Sequence, residues 1–392
     1  MVYFLRKSVN IGYTMQQETP LPQNPSAKPA ASGPSERLRF GDNRSFQIEL
    51  RRRIDGFFGT NGISQVDNWQ MYLKSAIILA CFVTSYALLV FASRTFWMGI
   101  PLAVLLGLTM AGIGFCVQHD GGHNAYSKHR AINKLAAMTL DLIGGSSYVW
   151  HFKHAVIHHT YVNITGWDTD IDFGRLARIS PHQKLLPFHR WQHLYLWPLY
   201  GFLAIKWQLF DDFQYIITGR LGRHRVPRPR RKDLAVFIVG KVVFFLWVFA
   251  IPLMFHPFLA VLFYYGIAVL VLGLVLSMIF LLPHCVGQAD FPLPITGSQS
   301  IEKPWAQHQA GVTLDFAQSN WAATWLLGGL NYHLEHHLFP TICHVNYPAM
   351  SKIVRETCRE FGVPYRAHPT FIEGVVSHYR WLRQMGMPDN GS

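Results

Sequence analysis

Leu73–Ser93, LKSAIILACFVTSYALLVFAS, and Trp97–Val117, WMGIPLAVLLGLTMAGIGFCV, decide the fold. A helix needs about 20 apolar residues to cross a hydrocarbon core of about 30 Å, and each run meets that length. Only a few residues join them, so they read as one spanning hairpin. A second pair follows at Leu234–Phe255 and Phe258–Leu282, separated by His256 and Pro257. The expectation is an all-α membrane protein with four transmembrane helices in two hairpins.

Each hairpin returns the chain to the side it left. The segment before Leu73, the stretch His119–Asp233 and everything after Leu282 must therefore share one face. That face carries Arg220, Arg223, Arg225, Arg228, Arg230, Arg231 and Lys232, whereas the turns on the other side offer little beyond Arg94. Positive-inside bias puts the polar mass, and any active site on it, at the cytoplasmic face. Between the hairpins, Lys184–Arg220 is too polar to span and too apolar for a solvated loop, which predicts interfacial helices. Lys241 falls inside the third span and is expected to snorkel to the boundary, because intramembrane cations are costly.

The domain limits follow. Residues 1–44, rich in Pro, Ser, Gln and Ala, read as a disordered tail, 45–72 as a cytoplasmic pre-membrane segment, 73–382 as the membrane domain and 383–392 as a second tail. The opening MVYFLRK has no secretory-signal core, so export is not expected. The 392 residues are half apolar and carry a formal charge of +13, which suits an anionic membrane surface or acidic partners; nucleic acid is not expected beside four spans. Five cysteines without CxxC spacing write neither a disulfide framework nor a zinc ribbon.

Histidine is the compositional outlier, with 20 residues. His119 and His123 follow the second span in HDGGH; His154, His158 and His159 lie in HAVIHH; His333, His336 and His337 lie in HLEHH. Spacings of three and four align such side chains on one helical stripe. A tetrahedral zinc takes about four ligands, so three clusters together exceed one site and imply two ions in a cytoplasmic His-rich di-metal domain. Neutral imidazole suits Zn, Cu, Fe and Ni alike, so spacing does not name the metal. Carboxylates that orient the imidazoles are expected among Asp120, Asp168, Asp170, Asp172 and Glu335.

The three boxes, and in particular LDLIGGSSYVWHFKHAVIHHTYVN (Leu140–Asn163) and GGLNYHLEHHLFPTICHVNYP (Gly328–Pro348), resemble the integral-membrane fatty acid desaturase and hydroxylase superfamily, on its acyl-CoA, acyl-lipid and front-end branch. The likeness runs from about Trp69 to Phe371. It implies two iron ions held by His119, His123, His154, His158, His159, His333, His336 and His337. A ninth ligand, His284 in FLLPHCVGQADFP, is implied by the same likeness. It further implies O2 as cosubstrate, a fatty acyl substrate carried as acyl-CoA, acyl-lipid or acyl-carrier protein, and contact with membrane lipid. Front-end members generally carry Gln where this chain has His333. No HPGG haem motif is present, so electrons are expected from a separate donor such as ferredoxin, or cytochrome b5 with its reductase.

Other positions carry weaker readings. His129 and His151 flank the boxes outside the family spacing. His182, His189, His193 and His224 are expected to decorate the basic interface, and His308, His344, His368 and His378 to be ordinary domain histidines. Gly107, Gly112, Gly114 and Gly273 would leave room for an acyl tunnel, although helix packing explains them as well. The same scaffold could hydroxylate or form an acetylene. A His-rich metal transporter would place its ligands near the bilayer midplane in broken helices, and a zinc hydrolase would leave several imidazoles idle.

Overall fold

The computed structural model describes residues 37–388, and the greater part of the 1–44 tail lies outside them. Four helices are long and apolar enough to cross a membrane: α2 (Trp69–Ala92), α3 (Phe96–Gly122), α7 (Lys232–Leu253) and α8 (Phe258–Leu281). They match the four apolar runs, with one extension. α3 does not stop at Val117 but continues through a π-helical turn, Gly114–Gln118, so that His119 is carried on the spanning helix itself. π-turns mark places where a side chain must be re-aimed within a continuous helix.

α3 is the central helix, 61% buried over its apolar window against 22% for α7. Its neighbours are α2 and α8, joined with it in one core by Ile78, Phe82, Met110, Ile113, Leu272 and Leu276. The outward faces of α7 and α8 expose Ile238, Val239, Val242, Leu259 and Leu274. The two short connections lie at one end: His256 hydrogen-bonds the Val90 carbonyl at 2.7 Å, and Phe91 meets Phe255 edge to face.

Two of the four glycines expected to open a tunnel, Gly107 and Gly273, are instead close-packing positions. A Cβ on Gly107 would sit 2.4 Å from the Ala268 carbonyl oxygen, and one on Gly273 only 2.1 Å from that of Gly201. Backbones approach there because neither residue has a side chain. An apolar cavity of about 50 Å³ does lie between the four helices, lined by Tyr86, Met110, Trp247, Tyr265 and Ala268, and none of the box histidines borders it.

The polar side is built on the opposite ends of the four helices, where His119, Lys232 and His284 lie. α1 (Ser45–Asn61) buries Phe46, Leu50, Ile54 and Phe58 against α12 (Tyr347–Glu360) and against Leu334 and Leu338 of α11 (His333–Leu338). Helix α4 (147–161) carries the second box on an eight-residue π-helical stretch, His151–His158. The interfacial segment becomes α5 (Gln192–Gly201), a turn at Phe202 and α6 (203–218), which includes a π-helical stretch, exposing Trp191, Leu194, Phe202, Phe210 and Ile217. Helices α9 (Trp305–Val312), α10 (Trp321–Leu326) and α13 (Phe371–Met385), with the short helices Arg130–Ala137 and Thr139–Leu142, complete the domain.

Three two-stranded pairs staple distant segments. β1 (Arg39–Phe40) pairs in parallel with β4 (Ser300–Ile301), β2 (Arg220–Leu221) forms a hairpin with β3 (His224–Arg225), and β5 (Asp315–Phe316) pairs in parallel with β6 (Ala367–His368). Beside the first pair, Leu38 is buried against Ile164 and Ile301. At the other end of the chain, α13 runs to Met385, and Arg178 donates to the Met385 and Met387 carbonyls.

Lys241 does not snorkel. Its ammonium is buried in α7 and donates to Asp212 Oδ2 at 2.8 Å and to the carbonyls of Gly144 at 2.7 Å and Gln208 at 3.1 Å. The segments around Gly144 and Gln208 lie against α7 at that depth, so partners are supplied inside and the stem has no need to reach water.

Candidate metal centre

The nine histidines come from four segments: the end of α3, the π-helical stretch of α4, the chain just past α8, and α11. All nine are buried, and the four in α11 and after α8 are at most 1% exposed. Their rings form one continuous cluster. His119 meets His336 at 4.4 Å between centroids, His123 meets His159 at 4.6 Å, His159 meets His337 at 4.3 Å, and His284 meets both His333 and His337 at 4.8 Å.

Within the cluster the nitrogens resolve into two foci. His119, His123, His154 and His336 bring ligand atoms within 4.8 Å of one another, and so do His158, His284 and His337. His159 groups with His336 and His337, between the two, and His333 stands beside His284 and His337. His154 and His158 stack at 5.1 Å yet belong to different foci, so the second box straddles both.

The outer nitrogens explain the orientation. Nδ1 of His158 donates to Asp168 at 3.1 Å and Nδ1 of His154 to Asp170 at 3.3 Å. Nδ1 of His284, His333 and His337 donates to the Val312 carbonyl, the Leu330 carbonyl and Gln309 Oε1, and His336 Nδ1 lies 3.3 Å from the Tyr347 hydroxyl. Protons held there leave the Nε2 lone pairs facing inward. Nε2 of His119, His123, His154, His159, His284, His333, His336 and His337 is buried with no hydrogen-bond partner among the described residues. So many orphaned acceptors in a dry pocket fit an electrophilic guest, since buried polar groups are otherwise paired.

Electrostatics agree. Burial, reinforced by neighbouring imidazoles, holds His123, His159, His284, His336 and His337 well below the ordinary histidine value, so each is neutral at pH 7 and keeps a free ring lone pair. His158 departs from this: burial opposes its charged form, but the Asp168 carboxylate prevails and raises its pKa. Asp168 is itself fixed by the Asn163 and Asp170 backbone amides.

Three of the five expected orienting carboxylates have other partners. Asp120 accepts from His344 Nδ1 at 2.7 Å, and Lys74 of α2 lies 2.7 Å from His344 Nε2. His344 is thus no ordinary domain histidine but the middle of a buried Lys74–His344–Asp120 chain. Asp120, Cys343 and His344 lie close enough to suggest a further metal group, but both ring nitrogens are engaged and Lys74 brings positive charge. Glu335 faces away from the rings, accepting from Tyr365, which it shares with Asp315. Asp172 accepts the Gly174 amide in a loop turn.

His129 and His151 are exposed, outside the cluster. His189, expected on the surface, is buried and bonds the Leu186 amide and Arg175 carbonyl, while His182 and His224 bond the Phe291 and Trp167 carbonyls. Gln309 escaped the sequence reading although it does double duty, its amide donating to the His159 carbonyl while its oxygen accepts from His337. Only its spacing from other boxes in space, not in sequence, identifies it.

The fold and pocket define a class: a helical protein with four membrane-length helices and buried histidine groups suited to metal. Comparison gives the family. The fatty acid desaturase family model matches residues 95–369. The chain is 36% identical over 353 residues to the sn-1 linoleoyl-lipid 6-desaturase of Synechocystis sp., covering 90% of this chain and 98% of that protein. It is 38% identical over 356 residues to the protein of the same name from Arthrospira platensis, covering 90% and 95%. The acyl-lipid (8-3)-desaturase of Physcomitrium patens is 35% identical over 358 residues, covering 89% and 73%. The chain belongs to the fatty acid desaturase family, and it is an oxidoreductase that desaturates fatty acyl chains.

Proposed function

We propose that the nine imidazoles hold two iron ions and that the enzyme introduces a double bond, with O2, into an acyl chain esterified to a membrane lipid. The observation that carries this is the set of eight buried, unpartnered Nε2 atoms, among which those of His154, His284, His333 and His337 belong to rings already fixed through Nδ1. A redox metal pair supplies the oxidising power that an unactivated C–H bond requires and that no side chain here provides. Per turnover, one O2, two electrons, two protons and two substrate hydrogens become two waters and one alkene.

The protein's own part is positional. Asp168 and Asp170 hold His158 and His154 in one tautomer and strengthen them as donors; Gln309 couples His337 to the backbone of His159. The surrounding core excludes water. The relatives named for lipid-linked substrates support an acyl-lipid, and their 6- and (8-3)- designations support attack on the carboxyl side of an existing double bond. The two short connections at one end and the cations of 220–232 at the other support two hairpins with the metal centre at the cytoplasmic face. Electrons would come from a separate one-electron carrier.

The test is a lipid profile. Expression in a host lacking the product, with a reductase system, should yield a new double bond in lipid-linked chains, lost in His154→Ala and His336→Ala. A hydroxylated or alkynyl chain as sole product would end the desaturase mechanism proposed here.

A further inference from the structure

The hairpin β2–β3 does not lie free over the membrane. Its turn glycine, Gly222, would put a Cβ 3.0 Å from Thr169 Cγ2, so it is folded over the loop that carries Asp168 and Asp170. His224 donates from Nε2 to the Trp167 carbonyl at 2.7 Å and stacks on Tyr161 at 5.7 Å, with ring planes 13° apart. Trp167 is buried, 5.2 Å from the Tyr161 ring and 5.8 Å from the His224 ring, and the Arg223 guanidinium caps it at 4.0 Å.

This aromatic trio adjoins the metal pocket at two points along the chain. Trp167 precedes Asp168, whose carboxylate bonds His158 Nδ1 at 3.1 Å; Tyr161 lies two residues beyond His159. Its outer end opens under a cationic surface. Arg220, Arg223, Arg225, Arg228, Arg230, Arg231 and Lys232 are all exposed, and the flanking acids Asp211 and Asp233 pair with Lys206 and Lys134. A concentrated charge of one sign steers an oppositely charged protein and sets its on-rate.

We infer that the 220–232 hairpin is the docking site of an acidic one-electron carrier protein, and that Trp167, with Tyr161 and His224, is the electron entry into the metal pair. This rests on the di-iron reading above. In each encounter one electron leaves the carrier's reduced centre, which is oxidised by one unit, and reduces the metal pair by one unit. Two encounters supply one turnover, and the port itself moves no proton. An anionic lipid surface is the competing occupant of the cations, but lipid attraction gives no reason for a capped aromatic stack leading to His158.

The test uses the full chain, iron-loaded, in nanodiscs of zwitterionic lipid, with an acidic [2Fe–2S] ferredoxin as probe. Arg223→Glu/Arg225→Glu/Arg228→Glu should weaken ferredoxin binding at least tenfold and flatten its salt dependence, whereas Lys352→Glu/Arg359→Glu should not. Trp167→Leu should bind ferredoxin normally yet slow the single-turnover oxidation of reduced ferredoxin at least tenfold, with partial rescue by Trp167→Phe. Reduction by dithionite with a small mediator should be unaffected in every variant, which checks folding and loading. Unchanged ferredoxin affinity in the triple variant would overturn the docking site, including the case where only retention on anionic vesicles falls. An unchanged transfer rate in Trp167→Leu would overturn the entry route. If mediator-driven reduction fails in the wild type as well, the di-iron reading fails instead.

Discussion

Asp168 shows how much of the centre rests on one carboxylate outside the ligand set. It takes the Nδ1 proton of His158, accepts the Asn163 amide, and is itself buried. Asp168→Asn keeps the shape but can present its amide N–H to Nδ1, which would favour the tautomer with the proton on Nε2, facing the metal. Loss of such a partner typically costs 10- to 100-fold in metal affinity. Asp168→Asn should therefore lose iron to a chelator about 10- to 100-fold more readily than wild type, read by competitive chelation, with its thermal unfolding in excess metal nearly unchanged. Asp172→Asn, whose carboxylate serves only a loop turn, should leave retention as it was. Sequence distance alone made the two look equivalent; direction toward His158 separates them.

Among elements, the third span shows a buried ion pair doing structural work. Lys241 of α7 and Asp212 of α6 are 7% and 5% exposed at the side chain, and burial pushes the Asp212 carboxyl up to about 6 despite the ammonium beside it. Lys241→Met would strand that carboxylate, which typically costs about 3–5 kcal/mol, whereas Lys241→Met/Asp212→Asn should recover much of the loss. Denaturant titration in mixed micelles reads both. α13 carries a second test. His378 donates from Nδ1 to the Cys285 carbonyl at 2.7 Å and accepts the Tyr200 hydroxyl at Nε2, tying α13 to α8 and α5; burial lowers its pKa to about 4, as it does for His308. An unfolded histidine titrates near 6.5, so between those values the unfolded chain holds more protons. Stability is full above about pH 6.5 and falls as pH drops toward 4, by up to about 3 kcal/mol per residue. His378→Gln should flatten that slope in unfolding scans between pH 7.5 and 5. The spans themselves were legible because length and apolarity are local properties. The π-turns, the Lys241 pairing and the tight contacts at Gly107 and Gly273 were not, because each is decided by what lies opposite in the fold.

At the scale of the whole molecule, the metal pocket is a junction. The three boxes were legible as residue types at helical spacing, and family likeness added His284; which imidazoles share a focus, and the roles of Gln309, Tyr347 and two backbone carbonyls, depend on long-range packing and left no local trace. The rings belong to α3, α4, the chain after α8, and α11, and α11 is backed by α1 and α12. Metal binding to such a cage stabilises the folded state by an amount that grows with free ion over its dissociation constant, about 4 kcal/mol at a thousandfold excess. Without metal, the pocket leaves eight buried Nε2 atoms unpaired, so the apo form should unfold at lower temperature. Chelation should thus lower the unfolding midpoint of the entire 38–388 unit rather than of one helix, with exchange protection falling together in α1, α11 and the end of α3. Zinc, which suits imidazole but has no redox chemistry, should restore the midpoint and not the desaturation; iron should restore both. If chelated enzyme kept its midpoint and its protection pattern, the rings would be held by packing alone and the cage would not be a metal site.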